Sequence, residues 1–121
     1  MQDALIGWLR EVGELSDAEL AAQFDQSAHQ RLVDLARYCV EGVSVPVDLT
    51  ADEFAQWVRD LQRSHFEWNR ALGQALLDAE DAQSKGDKGT AVQVLTEFAS
   101  ACSWLTLRDI SEGEAQRHGS T

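Results

Sequence analysis

The chain has 121 residues, of which 44% are hydrophobic, and it carries 21 acidic against 10 basic side chains, a net charge of −11. This length allows one domain with its own core, and the composition excludes global disorder. A surface of this sign repels phosphate backbones and anionic lipids, so we expect no direct binding to nucleic acid or membrane. A basic protein partner would be attracted, although the same charge would also serve solubility alone.

Apolar residues recur at steps of three and four, and proline occurs once, at Pro46. That spacing predicts an all-α protein, a compact helical bundle of five to six helices in a single domain over residues 1–121. No stretch has the pattern of a signal peptide or the length of a membrane span, so we expect a cytoplasmic protein. Cys39 and Cys102 lie among apolar residues, which is typical of buried free thiols in a reducing compartment.

Three helices are predicted before the proline. An apolar stripe marks the first, over residues 2–12. Ser16 and Glu19 have the spacing of a capping box, in which each side chain bonds the other residue's backbone N–H, and they predict a short second helix. A weaker version of that box at Ser27 begins a third helix, which is expected to end near Gly42.

Residues 43–49, with the sequence VSVPVDL, are predicted to form an extended linker, because proline and three valines resist helix formation. Thr50 and Glu53 then repeat the capping box and begin another helix.

The helix that begins at Ala51 has the clearest apolar pattern, and we expect it to continue to about Gln83, roughly 45–50 Å at 1.5 Å per residue. This length makes it the central helix on which the others pack. Gly73 is its one weak point, at a cost of about 1 kcal/mol relative to alanine. The seam expected to face inward consists of Phe54, Trp57 or Val58, Leu61, His65, Trp68, Leu72, Ala75 or Leu76, and Ala79.

The next stretch, KGDKGT at residues 85–90, has some of the residue types of a phosphate-binding loop. Such a loop needs GxxxxGK[ST] after a strand, so that backbone amides and the lysine surround the phosphates. The spacing here does not fit, and Asp87 would set a carboxylate against a phosphate. The stretch instead predicts a turn between helices, with Gly86 in the left-handed conformation and Asp87 or Thr90 capping the next helix.

Two further helices are predicted after this turn. Residues 117–121 have no apolar partner and are expected to fray. The inward residues are Ala91, Val94 or Leu95, Phe98 and Cys102 in the first of these helices, and Trp104, Leu105, Leu107 and Ile110 in the second.

Residues 75–102 resemble a tetratricopeptide-type helical hairpin. The residues that carry the likeness are the small Ala79 and Ala82, the Gly-Asp turn, and Ala91, Leu95 and Phe98. The tryptophan and tyrosine positions of that family and its closing proline are missing, and no second copy is visible at that period. The resemblance therefore implies a paired-helix geometry and no solenoid.

A few residues have part of the pattern of a catalytic or metal-binding site. His65 and Glu67 have the HxE spacing of zinc deaminases, but the PCxxC that accompanies it is missing. His65 falls on the apolar seam, which favours a core or interface histidine. Acids near Cys39 disfavour a thiolate, and Cys102 has no neighbouring base. We therefore expect no enzyme activity, no metal and no cofactor.

Two acidic groups and one tryptophan are the candidate partner-binding residues. The first group lies at the start of the long helix, where it also complements the helix dipole. The second lies near the C-terminal end, where the dipole disfavours anions, and is the more informative patch. Most of the four tryptophans are expected in the core, but tryptophan also dominates interface centres. The candidates are Asp48, Asp52 and Glu53, then Asp78, Glu80 and Asp81, with Trp68 as the aromatic anchor.

These features favour a protein whose function is to form a complex. By size and charge the chain is similar to bacterial immunity proteins, antitoxins and phage-encoded inhibitors, which implies an inhibitor that blocks a basic toxin, nuclease or nucleic-acid-binding protein. The alternative is a helical adaptor or a self-associating structural protein, in which the seam from Phe54 to Ala79 packs against a partner helix or a second copy.

Overall fold

The structure is a computed structural model that describes residues 2–120. It confirms the all-α prediction, since these residues form six helices and no β-strand. No helix in this part of the chain is long and apolar enough to cross a lipid bilayer. The helices are α1 (Gln2–Val12), α2 (Asp17–Ala22), α3 (Gln26–Cys39), α4 (Ala51–Ser84), α5 (Lys88–Ala101) and α6 (Leu105–Gly119).

The contacts divide the described chain into two compact units, residues 2–65 and 66–120. Helices α1, α2 and α3 and the first part of α4 belong to the first unit. The rest of α4, with α5 and α6, belongs to the second unit. A single domain over residues 1–121 stays a prediction.

The core of the first unit is built around Phe54 of α4, whose side chain is fully buried. The ring of Phe24 lies 5.2 Å from that of Phe54, and the ring of Trp8 lies 6.5 Å from it. Helix α1 packs on α3 beside these rings. Each fully buried leucine or phenylalanine contributes about 1.5–3 kcal/mol through removal from water. The other large core residues here are Leu5, Leu9, Leu20, Leu32, Leu35, Val58 and Leu61.

Both strong capping boxes predicted from the sequence are confirmed. The Ser16 hydroxyl accepts the Glu19 N–H at 3.1 Å, and the Glu19 carboxylate accepts the Ser16 N–H at 3.0 Å. Thr50 and Glu53 make the same pair of bonds, at 3.1 Å and 2.9 Å. These bonds satisfy backbone donors that have no partner within the helix, so they fix where α2 and α4 begin.

The start of α3 differs from the prediction. Asp25, and not Ser27, is the N-cap, and its carboxylate accepts the Ala28 N–H at 2.7 Å. Ser27 lies inside the first turn that Asp25 has already capped. The helix also ends earlier than predicted, at Cys39, and Gly42 follows in the left-handed conformation with φ 82°.

Arg59 of α4 anchors the segment between α1 and α2. Its guanidinium donates to the Gly13 carbonyl at 3.1 Å and to the Leu15 carbonyl, and it pairs with Asp17 at 3.0 Å. Since carbonyls that follow a helix have no partner within it, a guanidinium that donates to two of them stabilises the chain where it leaves α1.

Residues 43–50 have no regular secondary structure. His29 of α3 holds this segment, with its Nε2 atom 3.0 Å from the Pro46 carbonyl oxygen. Val47 next to the proline is 84% exposed. The segment predicted as a linker is therefore non-helical, as the proline and valines require.

The second unit begins with a helical hairpin whose turn has the predicted chemistry. Gly86 is left-handed with φ 80°, a conformation that glycine adopts without steric cost. The Asp87 carboxylate caps α5 by accepting the Thr90 N–H at 3.1 Å and the Thr90 hydroxyl at 2.6 Å. The buried small residues of the hairpin are Ala79, Ala82 and Ala91.

Helix α6 packs extensively on α5. Two buried polar contacts that the sequence analysis did not foresee also hold α6, one to α5 and one to the end of α4. The Ser111 hydroxyl is fully buried and donates to the Leu95 carbonyl at 2.7 Å. Near the end of α6, His118 is buried and its Nδ1 atom is hydrogen-bonded to the Gln83 side-chain carbonyl. Buried polar groups need such partners because desolvation without them costs about 1–3 kcal/mol.

The structure of α6 differs from two expectations. Residues 117–119 of the tail expected to fray are helical, and His118 in this turn is buried; Thr121 lies outside the described residues. Ile110 is 48% exposed. It lies outside the inward stripe, which follows steps of three, four and seven. That stripe is Trp104, Leu107, Ser111 and His118.

The Asp87 cap predicts a specific pH dependence of stability. Hydrogen bonds from the Thr90 side chain and backbone lower the pKa of Asp87, so the cap's contribution is present above the unfolded pKa and is lost as the pH falls through the lower folded value. Asparagine also caps helices but does not titrate. From about pH 5 to about pH 2, the thermal midpoint should fall less steeply in Asp87→Asn than in the wild type, as measured by circular dichroism. Asp109→Asn, at an exposed position of α6, is the control and should follow the wild type. A slope in Asp87→Asn equal to that of the wild type would contradict the role of Asp87 as a titrating cap.

Candidate protein-docking surface

In the second unit, α4 has two opposite faces. The inward face carries Leu72, Ala75 and Ala79, which are all buried. On the outward face, Phe66 and Leu77 are 65% and 64% exposed. At 100° per residue these two side chains lie within about 20° of one another around the helix, about 17 Å apart along its axis, and about half a turn from the buried stripe. They share one exposed line.

We define the outer face of α4 as Phe66, Arg70, Gly73 and Leu77, which follow one another at steps of four, three and four. All four are exposed. A Cβ placed on Gly73 would meet no atom within 4 Å, so nothing in the chain's own packing requires glycine there. The missing side chain leaves a low point between the two apolar side chains.

An acidic rim, Asp78, Glu80 and Asp81, borders the Leu77 end of the outer face. All three carboxylates are exposed. Asp78 accepts a hydrogen bond from Gln74 at 2.8 Å, and Asp81 pairs with Lys85 at 2.9 Å. Glu80 and Asp81 follow Leu77 by three and four residues, which places them beside it on the helix surface.

The other predicted acidic group lies in the first unit. Asp48 and Asp52 are exposed there. Glu53 has a structural role, because it completes the capping box of α4. Asp48 and Glu53 line an open crevice of about 310 Å³ together with Phe24, Val47, Leu49 and Thr50.

None of the four tryptophans is strongly exposed. Trp68 is half-buried, and its ring meets Phe98 edge-on with centroids 5.8 Å apart and planes at 78°. This contact is one that aromatic pairs prefer in cores. Trp104 is fully buried, whereas Trp8 and Trp57 are half-buried. The predicted anchor Trp68 therefore helps to hold the hairpin together.

The groups considered for catalysis have the properties of core residues. His65 is half-buried, and burial lowers its pKa, with a smaller contribution from the charge of Arg10. Cys39 and Cys102 are buried free thiols whose pKa values are raised chiefly by burial. Within residues 2–120 no three His, Cys, Asp or Glu side chains come together as a metal site. A neutral imidazole and neutral thiols are the expected forms at neutral pH.

A groove of about 410 Å³ also lies between α5 and α6 in the second unit. Small residues form much of its wall, among them Ala99, Ser100 and Ala115, with Glu112 at its edge. Val92 and Thr96 of α5 and Gln116 of α6 complete its wall.

Comparisons with known proteins gave no match to a protein family, to a curated protein or to a solved structure. The resemblances to a tetratricopeptide-type hairpin and to immunity proteins, antitoxins and phage inhibitors thus depend on the residues and composition already described.

Sequence reasoning missed Phe66 and Leu77 as surface residues. The signal was present, because a separation of eleven residues brings two positions to the same side of a helix after three turns. The regular apolar spacing through Trp68 and Leu72 predicts only the inward side of α4, which lies opposite. Exposure, and not residue type, identifies the outer face.

The open surroundings of Gly73 predict a gain in stability on substitution. Gly73→Ala should raise the free energy of unfolding by about 1 kcal/mol, because alanine favours the helix and its Cβ meets nothing. Urea unfolding followed by circular dichroism measures this change. Gly86→Ala provides the contrast, since alanine at φ 80° is strained and should lower stability. A loss of stability in Gly73→Ala would show that the helix needs glycine for its own packing.

Burial of the two thiols predicts low reactivity. In the native protein at about pH 8, Cys39 and Cys102 should react with a thiol reagent at least about a hundredfold more slowly than in urea, because raised pKa values reduce the thiolate fraction and burial blocks access. Absorbance with Ellman's reagent reports both rates. Ser100→Cys adds an exposed thiol that should react at once and serves as the control. Rapid native labelling of Cys39 or Cys102 would contradict their assignment as inert core residues.

Proposed function

We propose that this protein is a non-enzymatic protein-binding module, an acidic inhibitor that docks the outer face and acidic rim of α4 onto a basic protein and blocks it. One observation supports this most directly: two large apolar side chains, Phe66 and Leu77, are about two-thirds exposed on one line of a helix, and three carboxylates border that line.

The outer face has the composition of a docking surface. Protein interfaces typically combine a few large apolar anchors with a polar rim that remains accessible to water. Phe66 and Leu77 supply the anchors, and Asp78, Glu80 and Asp81 supply the rim. Single exposed apolar residues are common on protein surfaces, whereas two of this size aligned beside one charge cluster suggest a binding site.

The negative charge of the protein favours a basic partner. The chain carries a net charge of −11, and the acidic rim concentrates part of it beside Leu77. These carboxylates lie near the C-terminal end of α4, where the helix dipole already disfavours negative charge. A cationic partner relieves this repulsion, and long-range attraction raises its rate of association.

A self-associating helical protein or an adaptor is the second candidate, but not by the route predicted from the sequence. The seam residues Phe54, Val58, Leu61, Leu72 and Ala79 are buried within their own units and present no free surface to a second copy. We therefore propose that such a protein would use the outer face of α4 instead of that seam.

Charge reversal tests the proposed function. We would replace Asp78, Glu80 and Asp81 by lysine together and compare this rim variant with Asp3→Lys/Glu11→Lys/Glu14→Lys, which makes the same change in net charge on exposed α1 and the segment after it. A photo-crosslinking residue in place of Leu77, used in cells that produce the protein, should capture a basic protein. Affinity for that captured protein should fall about tenfold or more in the rim variant, equivalent to about 1.4 kcal/mol, with a shallower salt dependence of association. Equal affinity and equal salt dependence in both triple variants would exclude the rim as the docking charge.

A further inference from the structure

We propose that the outer face of α4 binds one amphipathic α-helix of the basic partner, lying antiparallel to α4 with the partner's N-terminal end beside the acidic rim. This inference rests on the proposed function and adds the shape and direction of the bound segment.

The line of exposed side chains has the dimensions of a helix contact. Phe66 and Leu77 are separated by about three helical turns, about 17 Å, on one continuous helix. A partner helix presents anchors on one side at steps of four, three and four, which covers the same distance. The two apolar side chains thus match two ends of one helical stripe.

Gly73 lies between these ends and lets a partner approach closely. Its backbone is exposed and no side chain from the protein covers it. The distance between packed helices, about 8–10 Å, depends on the side chains at the contact, and it is shortest where one helix carries glycine. A bulky partner side chain would therefore fit over Gly73, between Phe66 and Leu77.

The charges at the two ends of the outer face set the direction. The Leu77 end has the three rim carboxylates against one lysine, Lys85, whereas the Phe66 end has one acid, Glu67, and two bases, Arg63 and Arg70. The rim also lies toward the negative end of the α4 dipole. A partner helix that lies antiparallel places its own positive N-terminal end at this position, and lysines or arginines there strengthen the attraction.

A synthetic peptide serves as the probe. Its helix carries leucines at steps of four, three and four, lysines around the first leucine, and a fluorescent label at one end. Fluorescence anisotropy should show binding to the wild type that weakens about tenfold or more in Leu77→Asp, because an aspartate replaces the apolar anchor. Ile110→Asp changes an exposed apolar residue of α6 in the same way and should bind like the wild type.

Gly73→Leu distinguishes close approach from attraction by charge alone. A Cβ at this exposed position meets no atom within 4 Å, so circular dichroism should show an unchanged fold. The leucine side chain fills the low point and should weaken peptide binding about tenfold. If the rim variant loses the peptide but Leu77→Asp and Gly73→Leu keep it, the helix-binding inference is wrong and the proposed acidic docking function stands. If none of these variants weakens binding, both proposals fail.

Disulfide trapping tests the direction. A cysteine at the N-terminus of the peptide should trap Ser84→Cys, at the rim end of α4, faster than Asn69→Cys, near Phe66; both positions are exposed. A cysteine at the peptide's C-terminus should show the opposite preference. Reversed preferences would overturn the antiparallel direction.

Sedimentation of the wild type should show a monomer. A dimer that Leu77→Asp dissociates would assign the outer face to a second copy of this chain instead.

Discussion

An α-helix can turn only one side toward a core, and this constraint on α4 shapes the second unit. Leu72, Ala75 and Ala79 occupy the inward side, and their small or compact side chains allow the hairpin to close. Every residue half a turn away must then face outward. Phe66 and Leu77 are exposed for that reason and not because a loop displaces them. The exposure of the surface that we propose for a partner is thus a direct consequence of the packing that folds the unit.

The acidic rim adds a charge that this helix does not need for its own stability. Carboxylates near a helix C-terminus oppose the dipole, whereas Glu53 and Glu19 near helix starts act with it and complete capping boxes. Lys85 offsets part of the repulsion through its pair with Asp81, but such exposed pairs contribute little to stability. Solubility would be served equally by acids at any exposed position, so their location beside Leu77 favours a role in binding.

Local rules predicted most of the fold, because capping and periodicity act within a few residues. The boundaries of α1 and α4, the left-handed Gly86 and the Asp87 cap follow from them. Contacts between distant residues were not predictable in the same way. His118 is buried only because α6 returns it to Gln83, and Ile110 is exposed because Ser111 takes the inward position. For the candidate site, the rim acids were named from the sequence, whereas the apolar anchors were recognised only from their exposure in the folded chain.

Two apolar anchors, Phe66 and Leu77, imply modest affinity that depends on electrostatic attraction. Truncation of a typical hot-spot side chain costs about 2 kcal/mol or more, and two such anchors on one helix face correspond to modest affinity once the cost of ordering a partner is included. Electrostatic attraction acts before contact and raises the rate of association, so it compensates for a small contact area without requiring a larger one. A small, strongly acidic chain with a narrow apolar stripe is suited to this combination. The proposed binding is expected to weaken with salt mainly through slower association, while changes at Phe66 or Leu77 are expected to act mainly through faster dissociation.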